Sequence, residues 1–185
     1  MSKFLIVVDV QKDFIDGSLG TKEAVQVFPK ICNKIKEYSS NEYITIFTMD
    51  THDDDDYLET NEGKHLPVKH CIMGADGHEV PDQAKMSVTN ESIYAYTVLK
   101  STFGYSDWKT FLTTGISNDF MRVDKIELVG YCTDICVISN ALILKSLFPE
   151  VEIKVDASCC AGTTPLKHEE AIDIMKSCQI EVYND

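Results

Sequence analysis

Lys125-Ile126-Glu127-Leu128-Val129-Gly130-Tyr131-Cys132-Thr133-Asp134-Ile135-Cys136-Val137 reads as a short apolar run, a turn led by glycine and the opening of a strongly apolar helical stretch. The strand is expected over Lys125–Val129 and the helix over Cys136–Leu147, stopping near Pro149. A strand that passes at once into a helix is half of a βαβ unit, and such units build parallel sheets.

The same alternation continues in both directions. Lys3–Val10 reads as a buried strand, and Tyr43–Met49, rich in β-branched and aromatic residues, as a second. Between them Ile31, Ile35 and Tyr38 recur at helical spacing, which predicts a helix over Val27–Tyr38 with Pro29 in its first turn. Residues 51–90 are polar and punctuated by Gly63, Pro67, Gly74, Gly77 and Pro81, so a long loop with little regular structure is expected. Ser92–Leu99 is predicted as the third strand, Trp108–Leu112 as a short helix and Val151–Val155 as the fifth strand. A helix over Leu166–Cys178 and a strand over Ile180–Tyr183 close the chain. The fold class is therefore α/β: three α/β/α layers around a mainly parallel sheet of about six strands.

Composition sets the outer limits. The 185 residues are one domain's worth, and 44% hydrophobic with 25% charged residues is ordinary for a globular chain. A net charge of -13 leaves no cationic surplus for phosphates or anionic lipid, so neither nucleic acid nor membrane is an expected partner. Met1-Ser2-Lys3 runs straight into a strand, so no secretory leader is expected. Seven scattered cysteines without a Cys-x-x-Cys pair suit free thiols in a reducing cytoplasm.

Three reactive side chains stand at the ends of apolar runs: Asp9 after Phe4–Val8, Lys100 after Ile93–Leu99, and Cys136 just past Ile126–Gly130. In an open parallel sheet, ligands bind in the crevice at the carboxyl ends of the strands. A carboxylate, an ammonium and a thiol on that rim suit nucleophilic catalysis. A cysteine in the first turn of a helix also meets unpaired N–H groups that favour thiolate and oxyanion. Packing of Cys136 beneath the helix is the alternative reading of this turn alone.

Asp9-Val10-Gln11-x-Asp13-Phe14, Lys100-Ser101-x-Phe103 and Gly130-x-Cys132-Thr133-Asp134-x-Cys136-Val137, in this order, resemble the isochorismatase-like cysteine hydrolases. Within that group the chain looks most like the nicotinamidases, over Phe4 to about Cys160. The resemblance implies a triad of Asp9, Lys100 and Cys136, with an oxyanion hole from the backbone N–H groups of Cys132 and Cys136. It implies that Cys136 attacks an amide carbonyl, that Asp9 moves the protons, and that Lys100 balances both charges and lowers the thiol pKa. It further implies a cis peptide at Tyr131–Cys132, substrate contacts from Phe14, Leu66 and Tyr131, a homo-oligomer, and a place in pyridine nucleotide salvage. Leu66 stands where the family commonly has an aromatic residue over the substrate ring.

Asp50-Thr51-His52 follows the second strand, and alternation turns residues i and i+2 the same way. With His70 from the long loop they form a donor set suited to zinc, iron(II) or manganese, zinc being the first choice. By resemblance Glu62 is a further ligand, and the ion binds the pyridine nitrogen of the substrate. His65 and His78 are expected to be exposed loop histidines, Asp53–Asp56 a solvated acidic turn, and Asp13 a local cap or pair. The expected substrate is a small amide, nicotinamide first, with another small amide or a vinyl ether as the alternative. Two other classes are weighed against this. A phospho-acceptor receiver has no use for the cysteine, and a Cys132–Cys136 redox pair needs favourable geometry to bridge.

Overall fold

The computed structural model describes residues 2–41, 43–88, 95–116 and 121–185. In chain order they form β1 (Ser2–Val8), α1 (Lys12–Ile15), α2 (Lys22–Ser40), β2 (Ile44–Asp50), α3 (Asn61–His65), α4 (Asp82–Ser87), β3 (Ala95–Lys100) and α5 (Trp108–Thr110). β4 (Val123–Tyr131), α6 (Ile138–Leu147), β5 (Glu152–Ala161), α7 (Pro165–Ser177) and β6 (Glu181–Tyr183) follow. The strands make one six-stranded sheet in the order β3-β2-β1-β4-β5-β6, and every pairing is parallel.

Strand alternation splits the core into two layers. Phe4, Ile6 and Val8 of β1 point into one, with Trp108, Ala141, Leu144, Ile172 and Met175 from α5, α6 and α7. Leu5 and Val7 point into the other, with Ala24, Ile31, Ile35 and Ala84 from α2 and α4. Because β1 is apolar on both faces, it can only sit in mid-sheet. The chain winds one way to β2 and β3 and the other way to β4, β5 and β6, so the switch point lies between β1 and β4. Gly130 permits that junction: its φ is +123°, and a Cβ there would lie 2.1 Å from the Val8 carbonyl oxygen.

Three local expectations are corrected. Helix α2 starts at Lys22 rather than Val27, because Thr21 caps it by accepting from Ala24 N–H (3.0 Å), and Pro29 lies inside the helix. Burial of Ala24, Ile31, Cys32 and Ile35 outweighs the roughly 3 kcal/mol that an interior proline costs. Residues 51–88 carry α3, α4 and two 3₁₀ turns, Tyr57–Glu59 and Asp76–His78, rather than an irregular loop; residues 89 and 90 lie outside the described residues. Each piece is too short for a hydrophobic period to show, and Thr60 capping Gly63 N–H at 2.9 Å marks one start. Strand β3 is described only from Ala95, so positions 92–94 of its predicted start lie outside the described residues. The predicted helix over Cys136–Leu147 begins with a π-helical turn, Thr133–Val137, that runs into α6.

Candidate active site

Asp9 is the first residue beyond β1 and leaves the ladder with φ +48°, a left-handed conformation that costs a non-glycine residue about 1–2 kcal/mol. Its N–H still reaches the Thr48 carbonyl (3.1 Å), and its Oδ1 accepts from Thr48 Oγ1 (2.6 Å). Lys100 ends β3, two strands away, and its ammonium lies 2.7 Å from Asp9 Oδ2, 3.6 Å from Asp50 Oδ1 and 3.7 Å from Cys136 Sγ. Cys136 arrives on the π-helical turn after β4. Thus three strand ends on both sides of the switch point deliver three reactive groups to one buried spot.

The electrostatics qualify the sequence reading. Burial pushes the Cys136 thiol well above its ordinary value, and the Asp9 carboxylate adds to this; Lys100 pulls it down but does not win. Burial likewise raises Asp9, against the pull of Lys100. Burial opposes the Lys100 ammonium, yet Asp9 and the other negative groups around it keep it protonated. Burial thus works against charge on both the Cys136 thiol and the Asp9 carboxyl, while the Lys100 ammonium, which donates to Cys136 Sγ, favours it. The expected lowering of the thiol pKa by Lys100 is corrected: burial of Cys136 outweighs the pull of the lysine.

Beside this cluster, Asp50, His52, Glu62 and His70 each present one ligating atom, all within 4.8 Å of one another. His52 Nε2 and His70 Nε2 lie 3.0 and 3.3 Å from Asp50 Oδ2, and 3.8 and 3.6 Å from Glu62 Oε1. His70 Nδ1 donates to the Val68 carbonyl at 2.9 Å, which leaves Nε2, now against Asp50, as the nitrogen that would bind an ion. Donors about 2.0–2.2 Å from one ion lie up to roughly 4 Å apart, so two carboxylates and two imidazoles at this spacing fit a divalent cation. Burial alone would raise Asp50, but hydrogen bonds from both histidines and the Lys100 charge hold it well below the usual carboxylate range.

Cys136 and all four of Asp50, His52, Glu62 and His70 line one cavity of about 1240 Å³, whose walls include Phe14, Leu66, Met73, Phe103, Cys132 and Ile135. Phe14 and Leu66, expected against substrate, are thus brought to it. Tyr131 is not: its side chain is buried in the α2 layer, and its hydroxyl donates to the Ala24 carbonyl at 2.8 Å. The Tyr131–Cys132 peptide is cis, and Cys132 borders the cavity. Asp13 accepts from Ser18 N–H and from Cys71 N–H (2.8 Å), so it ties the His70 loop to α1. His65 and Asp53–Asp56 are exposed, as expected. His78 corrects its expectation, being buried with Nε2 2.9 Å from Thr51 Oγ1.

Three supporting residues escaped the sequence reading. Thr48 hydrogen-bonds Asp9, and Gln11, inside the first motif, binds the Asp50 backbone. Asn140 donates to the Cys136 and Phe103 carbonyls (2.8 and 3.2 Å) and accepts from Tyr105 N–H and Trp108 Nε1. It ties the Cys136 turn to the loop after Lys100. A lone amide in the apolar run Val137–Leu147 was the available signal, since buried amides require partners.

A parallel three-layer α/β sheet with an Asp–Lys–Cys cluster at its switch point defines a class, and the chain belongs to it: it is a member of the isochorismatase family, the Isochorismatase domain matching residues 3–184. Among characterised relatives, the nicotinamidase/pyrazinamidase of Mycobacterium tuberculosis is 28% identical, with 96% of each chain covered. The crystal structure of a pyrazinamidase/nicotinamidase from Streptococcus mutans superposes with a TM-score of 0.83 at 26% identity, covering 98% of this chain and 100% of that one. The pyrazinamidase of Pyrococcus horikoshii in complex with zinc shares the fold, with a TM-score of 0.78 at 22% identity and full coverage of both chains.

Proposed function

We propose that this protein, as a single domain, hydrolyses a small heteroaromatic amide, nicotinamide first, to its carboxylic acid and ammonia. The reaction passes through a thioester on Cys136. The observation that carries this reading is the Lys100 ammonium, which faces Asp9, Asp50 and Cys136 together, the last two of which line a cavity. The names of the relatives from Mycobacterium tuberculosis and Streptococcus mutans support the substrate class.

Asp9 takes the thiol proton as Cys136 Sγ bonds to the amide carbon, and the backbone N–H groups of Cys132 and Cys136 receive the oxyanion. A thiol made hard to ionise by burial suits this order, because its proton leaves only when the new bond forms. Asp9 then returns the proton to the departing nitrogen, and the C–N bond breaks. Next it draws a proton from water, which opens the thioester and regenerates the thiol. Lys100 stays protonated throughout and offsets the negative charge that passes between oxygen and sulfur.

Asp50, His52, His70 and Glu62 would hold a divalent cation, zinc first and iron(II) or manganese otherwise. When bound, such an ion supplies an anchoring point for a pyridine-type nitrogen. The zinc-bound relative supports that choice. Phe14 and Leu66 line the cavity, and their apolar side chains suit the faces of such a ring. Seven free thiols support a reducing, cytoplasmic setting, and no helix among the described residues is long and apolar enough to cross a membrane.

The test is ammonia release across a panel of amides that includes nicotinamide and pyrazinamide. Wild-type protein should release ammonia and Cys136→Ala should not, at unchanged melting temperature. Full activity in that variant would remove the nucleophile assignment.

A further inference from the structure

We propose that Gln11 is a positioning residue for the cation site. Its side-chain amide replaces the backbone partner that β1 no longer offers, and so fixes where the Asp50 carboxylate stands. The inference rests on reading Asp50, His52, Glu62 and His70 as cation ligands.

The β1–β2 ladder runs in register from Phe4↔Ile44 to Val8↔Thr48 and stops there, because Asp9 turns to φ +48°. Asp50, at the end of β2, pairs with Lys100 of β3 on one side. On the other side its N–H and C=O have lost their strand. Gln11 takes both: Oε1 accepts from Asp50 N–H at 2.8 Å, and Nε2 donates to the Asp50 carbonyl at 2.8 Å. Nε2 also donates to the His78 carbonyl at 2.9 Å. The amide orientation is unambiguous, since the flipped form would set its oxygen against two carbonyls.

These contacts span 39 and 67 residues of sequence, and Gln11 is fully buried. Through His78 the clamp reaches Thr51, whose hydroxyl lies 2.9 Å from the His78 ring. One amide thus holds the backbone at Asp50 and braces the next residue, leaving the carboxylate aimed at His52 and His70. Gln11 touches neither the thiol cluster's protons nor a ligating atom. It acts through Asp50.

The experiment measures zinc affinity by competition with a chromophoric chelator, and the visible absorption of the cobalt(II) form. Wild type is compared with Gln11→Met, Gln11→Ala and a core control, Met175→Ala, in the opposite layer. Met is close to Gln in shape but makes none of the three bonds; Ala leaves room for water to satisfy the freed backbone groups and keep the chain folded. Folded Gln11 variants should bind zinc roughly 10–100-fold more weakly, with an altered cobalt spectrum, as for other outer-sphere partners. Met175→Ala, although less stable, should match wild type in both. A folded Gln11 variant with wild-type affinity and spectrum overturns the positioning role while leaving the cation site standing. Wild-type protein that binds neither ion overturns the cation site itself, and this inference with it.

Discussion

Lys100 Nζ stands 3.6 Å from Asp50 Oδ1, across the β2–β3 register that makes these two residues neighbours. The other Asp50 oxygen faces His52 and His70, so a single carboxylate joins the histidine pair to the lysine beside Asp9 and Cys136. The two halves of the site are therefore one charge network.

Removal of the shared ammonium should damage stability as well as chemistry. Lys100→Met removes the buried cation that faces Asp9 and Asp50, which costs about 3–5 kcal/mol. Asp9→Asn keeps the shape but loses the proton carrier, and kcat/KM should fall by roughly 10²–10⁴-fold. Denaturant unfolding and ammonia release separate the two effects. Equal stability losses in both variants would contradict this charge balance.

The pH dependence has a definite sign. Burial raises Asp9 above its ordinary 3.8, and the base form is the active one, so activity rises with pH along a limb displaced upward from that value. Lys100 is held above its ordinary 10.5, so no alkaline loss should arise from it below about pH 10. A kcat/KM profile with an acid limb at or below the usual carboxylate value would refute Asp9 as the base.

Chelation should lower activity, and His70→Ala should weaken divalent-ion affinity by more than about 100-fold, since it deletes a ligand rather than a neighbour of one. Elemental analysis of purified wild type and variant reads this directly. Equal metal content in the two would reject the donor set.

Gly130→Ala should be among the most damaging single changes, at about 4 kcal/mol or more. The new Cβ would meet the Val8 carbonyl oxygen at 2.1 Å, in a backbone conformation with φ +123°. Thermal melting tests it, and a near-native melting temperature would show that β1 and β4 can separate without cost.

Away from the site, Lys34 lies 2.6 Å from Asp156 and 3.3 Å from Glu127, both buried beneath α2. Lys34→Met should cost about 3–5 kcal/mol, and adding Asp156→Asn should recover part of it by removing one stranded charge. Burial opposes the Asp156 carboxylate, but hydrogen bonds from Lys34, Ser158 and Asn184 depress its pKa. Its contribution to stability is thus complete above 3.8 and lost as pH falls through the depressed folded value. Denaturant midpoints measured against pH check both statements.

Much of this molecule is legible in its sequence. Hydrophobic periodicity is a local property, so the alternation of apolar runs and amphipathic stretches determined a parallel three-layer fold and marked Asp9, Asp50, Lys100 and Cys136 as strand-end residues. Period-2 alternation along β4 also put Val129 and Tyr131 on one face, which is why Tyr131 belongs to the α2 layer and not to the cavity. Tertiary structure alone decided the rest. Gln11 reaching Asp50, Asn140 reaching Phe103, and the proton affinity of Cys136 depend on groups far apart in the chain and on how completely they are closed off from water. Hydrogen-bond satisfaction and desolvation arise only when separate segments meet, and no spacing within one segment encodes them.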